Sequence, residues 1–97
     1  MPTSSGPYDV ILTATFLRTL KRFLRQHRDV EPTFRRLVRD LEVDPCQPRL
    51  RLHPLRGALD GFHAVSLTHS LRVLLILEVE ERSITPINIG DHDEVYR

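Results

Sequence analysis

Thirteen of the fourteen basic side chains in this sequence are arginine, and five histidines are spread between His27 and His92. The planar guanidinium fork makes paired hydrogen bonds to a phosphate or carboxylate, and histidine changes charge near neutrality. The basic charge is uneven: residues 1–60 hold 11 Lys/Arg against 7 Asp/Glu, and residues 61–97 hold 3 against 6. A net charge of +1 therefore conceals a positive N-terminal part that can meet a polyanion, or simply form a solvated helix surface. Arg18, Arg22 and Arg25 fall on the polar side of one apolar repeat, and Arg51 and Arg56 flank His53. Arg72 opens the longest apolar run, where pairing with Glu78 or Glu80, or a place at an exposed strand end, is the structural alternative to an anion-binding role. His92 stands in a polar tail four residues before Tyr96, which can equally serve as a packing residue. His63 lies on a predicted strand, whereas His27 and His69 read as helix-end and turn residues. Asp91, Asp93 and Glu94 crowd the tail with carboxylates, a pattern that reads as a solvated face before a metal site.

These side chains need a scaffold, and the segment His53 to Glu80 is its centre. Leu71 to Val79 places apolar side chains on both faces of a strand, as in the interior of a sheet, and Phe62 to Leu67 supplies its hairpin partner. A two- or four-residue loop between them puts His63 on the face of Arg72; a three-residue loop puts Ser66 there instead. Gly57 and Gly61 bracket a bend into the hairpin. Upstream, Tyr8 to Leu12 is β-prone, and Thr13 or Thr15 can cap a helix from Ala14 to His27 that carries Phe16, Leu17, Leu20, Phe23 and Leu24 on its apolar side. Pro32 suits the first turn of a second helix, with Phe34, Leu37, Val38 and Leu41 at helical spacing and an end near Val43. Leu50 to Leu55 is compatible with a short strand, Glu80 to Ser83 with a turn, and Ile84 to Ile89 with a last strand in which Pro86 marks an edge or a bulge. The expected fold class is α+β: strand, two antiparallel helices, then three or four antiparallel strands. Its core is expected from Phe16, Leu20, Leu24, Phe34, Leu37, Leu41, Val73, Leu75 and Leu77.

The length suits one domain, expected over 8–97 behind a flexible leader at 1–7 rich in Pro, Ser and Gly. The single cysteine, Cys46, excludes an internal disulfide, and no Cys/His cluster has zinc spacing. There is no apolar stretch of signal-peptide or membrane-spanning character, so a soluble, cytoplasmic protein without a membrane partner is expected.

Three stretches, HPLRGALDGF at 53–62, SLRVLLILEV at 70–79 and INIGDHDEVY at 87–96, together with the element order, resemble the RelE/ParE superfamily of type II toxins. The first stretch is similar to the YafQ-like branch. The resemblance implies a toxin with a cognate antitoxin as partner, acting on mRNA at the ribosome as an endoribonuclease that needs no metal or cofactor. Such cleavage requires a base for the ribose 2′-OH, cations for the charge developing on phosphorus, and an acid for the leaving 5′-oxygen. By the same resemblance, Arg72 matches a catalytic arginine, His92 and Tyr96 a catalytic His or Arg and an aromatic in the tail, and His53 the histidine of an HPLxG motif. His63 lies near a catalytic lysine. Arg18, Arg22, Arg25, Arg51 and Arg56 are the RNA-binding candidates, and those on the first helix can alternatively meet acidic antitoxin side chains.

The chain departs from the YafQ-like pattern at Ser66, at Ser70-Leu71 and at Asn88, where that branch keeps a histidine, an Asp-Trp pair and an arginine. These positions favour the alternative function, a non-catalytic member of the fold that is gyrase-directed or a binding module alone. A small DNA-binding regulator is disfavoured by the lack of a helix-turn-helix pattern.

Overall fold

Phe and Leu alternating with arginine at helical spacing produce two helices that cover one face of a sheet. The computed structural model describes residues 6–96. Helix α1 spans Ala14–Gln26; Thr13 caps it, its hydroxyl accepting a hydrogen bond from the Phe16 amide at 3.1 Å. Phe16, Leu20 and Phe23 are buried, and the helix stops at His27, whose ring stacks on Phe23 at 4.2 Å. A 3-10 turn over Arg28–Val30 reverses the chain into α2, Glu31–Val43, where Pro32 occupies the first turn and needs no amide partner. Phe34, Leu37 and Leu41 of α2 are buried, with the Phe34 ring 6.0 Å from that of Phe16.

The sheet has five strands in the order β1-β5-β4-β3-β2, comprising β1 Asp9–Val10, β2 His53–Pro54, β3 His63–Ser66, β4 Leu71–Glu78 and β5 Ser83–Asp91. Strand β1 runs parallel to β5, and every other pair is antiparallel. The four strands after the helices are antiparallel, as the sequence pattern predicts, and the first strand joins them in parallel because the chain crosses through α1 and α2 before it returns. Val65, Val73, Leu75, Ile84 and Ile89 on the sheet join Phe16, Leu20, Phe34, Leu37 and Leu41 in one core. Of the expected core, Leu24 and Leu77 sit only partly buried at its margin.

Several boundaries differ from the sequence reading. The expected strand Tyr8 to Leu12 pairs only at Asp9–Val10. The expected strand Leu50 to Leu55 shortens to His53–Pro54, because a 3-10 turn at Pro48–Leu50 ends in Arg51 with φ +53, a left-handed residue that cannot continue a strand. Of the expected leader 1–7, residues 1–5 lie outside the described residues. Gly6 is seated so closely on α2 that a Cβ there would meet the Glu42 carbonyl oxygen at 2.5 Å, and the next turn is held by the Tyr8 amide donating to that carbonyl.

Two local devices set the far end of the sheet. Leu74 pairs with Asn88 and Leu75 with Pro86, so Ile87 is an extra residue, a bulge where proline has no amide to give the ladder. The bulge shifts the register by one, placing Gly90 beside Arg72 and Ile89 in the core. Beyond it, the polar tail forms a third helix, α3 at His92–Tyr96. Asp91 and Glu94 make a reciprocal capping box: the Glu94 amide donates to the Asp91 carboxylate and the Asp91 amide to that of Glu94, each at 2.9 Å. Two of the three tail carboxylates thus build a helix start.

Candidate active site

Helix α3 rests on β4 and β5 with Val95 buried, on the sheet face away from α1 and α2. The faces follow from the pleat: Val73 and Leu75 point into the core under the helices, so Arg72 and Leu74 point the other way. On that second face, β2, the 3-10 turn Gly57–Leu59 and α3 enclose a groove of about 520 Å³. His53, Arg56, Arg72, His92 and Tyr96 line it, over a partly apolar wall of Leu55, Ala58 and Leu59. Gly57 at φ +68 and Gly61 at φ +96 supply the left-handed backbone that folds this wall, as the glycine bracket predicted.

The groove is cationic: among the described residues, no carboxylate lines it. One Nη of Arg72 donates to the carbonyls of Thr68, His69 and Leu71 at 3.0, 3.2 and 3.0 Å, so the β3–β4 turn holds the guanidinium by one edge. Neither Glu78 nor Glu80 pairs with it, and among the described residues no carboxylate comes within ion-pair distance of Arg72. The ion pair with Glu78 or Glu80 is therefore absent, and the remainder of the fork is free for an anion.

The two histidines in the groove are held differently. Nδ1 of His53 is 2.8 Å from the carbonyl of Arg51; since a carbonyl only accepts, Nδ1 is the donor, and Nε2 is the nitrogen that can take a proton when the ring is neutral. His92 is largely exposed, with its ring edge-on to Tyr96 at 4.4 Å and its Nδ1 3.8 Å from the Asp93 carboxylate. The spacing of four residues in a helix brings His92 and Tyr96 together on one side of α3.

His63 does not join them. It pairs with Leu75, while Ser66 pairs with Arg72, and the connection between the strands has the three residues Thr68 to Ser70 closed by the Leu67 amide on the Leu71 carbonyl. By strand parity His63 points to the opposite face from Arg72, half-buried with an unpartnered Nδ1. Its sequence-based assignment is withdrawn. The RNA-binding candidates divide as well: Arg56 lines the groove and Arg51 the neighbouring cleft, while Arg18, Arg22 and Arg25 are exposed on α1 and line neither. Asn88, where the YafQ-like pattern keeps an arginine, points its amide at the Glu94 carbonyl and accepts from the Ile89 amide, which supports α3 without adding charge. Sequence reasoning missed Gly90 and the apolar wall; the Asp-x-x-Glu spacing at 91–94 was the available signal for the helix that covers this face.

This element order and five-stranded sheet are the fold of the RelE/ParE-like toxins. Among solved structures, the chain is similar to YafQ from E. coli, with TM-score 0.67 and 13% identity over 93% of this chain and 99% of that one. It is similar also to a YoeB/ParE toxin from Agrobacterium tumefaciens, with TM-score 0.68 and 16% identity over 86% of this chain and 96% of that one. A third likeness is to the RelBE2 toxin–antitoxin complex from Mycobacterium tuberculosis, with TM-score 0.57 and 23% identity over 89% and 99% of the two chains. No family model and no curated protein matches the chain.

Proposed function

We propose that this chain is the toxin of a type II toxin–antitoxin pair and cleaves mRNA at the ribosome without a metal or cofactor. The observation that carries the reading is one cationic groove that brings together His53, Arg56, Arg72, His92 and Tyr96 with no carboxylate among its described lining. His53 Nε2 takes the proton from a ribose 2′-OH, and the 2′-oxygen attacks the adjacent phosphorus. As the O2′–P bond forms and the P–O5′ bond breaks, the free edge of the Arg72 fork and Arg56 hold the negative charge on the phosphoryl oxygens. His92 gives its proton to the leaving 5′-oxygen, so the products are a 2′,3′-cyclic phosphate and a 5′-hydroxyl. Tyr96 and the His92 ring offer a surface on which a base stacks. His92 is exposed, and so thin a set leaves alignment of the 2′-oxygen with the leaving group to the ribosome.

The cognate antitoxin, by analogy with the complex of known structure, is the partner that silences the protein in the cytoplasm. The test is induced expression of wild type, Arg72→Ala, His53→Ala and His92→Ala, read by growth and by primer extension on a translated message in the presence and absence of EDTA. Cleavage by wild type that resists EDTA and is lost in the variants supports the reading. Growth arrest by wild type without cleavage transfers it to the non-catalytic, gyrase-directed alternative, which the substitutions at Ser66 and Asn88 favour.

A further inference from the structure

A second cleft lies on the other side of Arg72, between the α2 surface, the turn before β2 and the β3–β4 loop, with a volume of about 320 Å³. Its lining includes four arginines, Arg36, Arg49, Arg51 and Arg72, together with His69 and one carboxylate, Asp40. Asp40 is already engaged by Arg49 at 2.8 Å, which leaves Arg36 and Arg51 with no carboxylate partner among the described residues. The volume is at the lower end of ligand-holding clefts, enough for a small group and not for a folded element.

Two connections tie this cleft to the proposed active groove. Arg72 lines both, so an anion held there is a neighbour of whatever fills either side. Arg51 links them through its backbone: at φ +53 it occupies the left-handed region, its carbonyl accepts from Nδ1 of His53, and the residue lines the second cleft. A left-handed arginine is an uncommon backbone state, of the kind retained where the conformation has a use. Here the carbonyl is held by His53 of one groove while the residue lines the other.

We infer that the second cleft binds the phosphates of a single RNA strand next to the scissile one, so that one strand crosses Arg72 from cleft to groove. This rests on the nuclease reading of the groove and extends it to a substrate longer than the cleaved step. RNA fits better than an acidic peptide because the sites share Arg72, and a strand whose scissile phosphate lies in the groove carries its next phosphates past that residue. Forked arginines and an exposed imidazole at His69 also suit phosphates and flanking bases.

The test uses the purified full chain and fluorescein-labelled 2′-O-methyl RNA, which cannot be cleaved because its nucleophile is blocked, as a 3-mer and as 7-mers extended to either side. The 7-mer extended toward the cleft is expected to bind about tenfold or more tighter than the 3-mer, as charge-assisted bonds to Arg36 and Arg51 require. Arg36→Gln with Arg51→Asn should remove that gain, lowering 7-mer binding about tenfold more than 3-mer binding; asparagine tolerates the left-handed backbone and keeps the carbonyl on His53. The salt slope for the 7-mer should also fall by about 1.4. Equal binding of all lengths, equal loss for both lengths in the double variant, or a poly-glutamate peptide binding the cleft as tightly through the same two arginines overturns the inference. Because no cleavage is scored, wild type that shows the length effect yet fails to cut a translated message refutes the nuclease chemistry alone. Cutting without the length effect refutes the cleft alone.

Discussion

Gly90 stands directly across from Arg72 in the β4–β5 ladder, and α3 folds back over it so closely that a Cβ there would meet the Glu94 carboxylate oxygen at 2.8 Å and the Glu94 Cβ at 2.9 Å. The absence of a side chain at 90 is what lets α3 carry His92 and Tyr96 onto the face of Arg72. Gly90→Ala is therefore expected to push Glu94 out of its capping box at a cost of about 1–2 kcal/mol. Urea denaturation reads the stability loss, and in the growth assay that tests the proposed function the folded variant should arrest growth less than wild type.

Leu75 is fully buried at the centre of β4, between β3 and β5. Leu75→Ala is expected to destabilise the protein by about 2–5 kcal/mol through lost transfer energy and the cavity left behind. A loss under about half of one kcal/mol in denaturant titration would remove β4 from the centre of the core.

His63 carries a buried Nδ1 without a hydrogen-bond partner on the face away from Arg72. Replacing it by an apolar side chain removes an unsatisfied polar group, so His63→Leu should raise stability by on the order of 1 kcal/mol and leave cleavage unchanged. A variant that folds normally but no longer cuts would reinstate His63 in the chemistry.

The difference between His53, pinned by the Arg51 carbonyl, and His92, exposed at the groove rim, predicts unequal effects in single-turnover assays on ribosome-bound message. His53→Gln is expected to lower the rate by about 10²–10⁴, the range for loss of a positioned base. His92→Gln should cost less, because solvent can substitute for an exposed acid. Equal losses would argue that both rings are positioned in the bound complex.

Arg82 closes the β4–β5 turn at φ +53. Arg82→Gly relieves a left-handed residue at the cost of extra freedom in the unfolded chain, so a net gain of about 0.5 kcal/mol is expected in thermal or denaturant unfolding.

Much of the frame was legible in the sequence because it depends on local chemistry. Thr13 before the apolar repeat of α1, Pro32 at the head of α2, the end of α2 at Val43 and the two-faced strand around Leu75 follow from capping, proline geometry and periodicity, which act over one or two turns of chain. Pro86 likewise announced an edge position or a bulge, since it has no amide for the ladder, and between β1 and β4 the bulge is what formed. The candidate residues Arg72, His53, His92, Arg56 and Tyr96 were legible by type and by resemblance, although nothing local says that they meet.

Only the tertiary structure decided their grouping. A single residue of register separates His63 from Ser66 at the position opposite Arg72, and the pleat turns that one residue into the opposite face of the sheet. The bulge at Ile87 makes the same choice between Ile89 and Gly90, and α3 can lie down only on glycine. Register and parity arise from pairing between strands far apart in sequence. The chain therefore names the groups able to do chemistry, while the sheet selects which of them face one another.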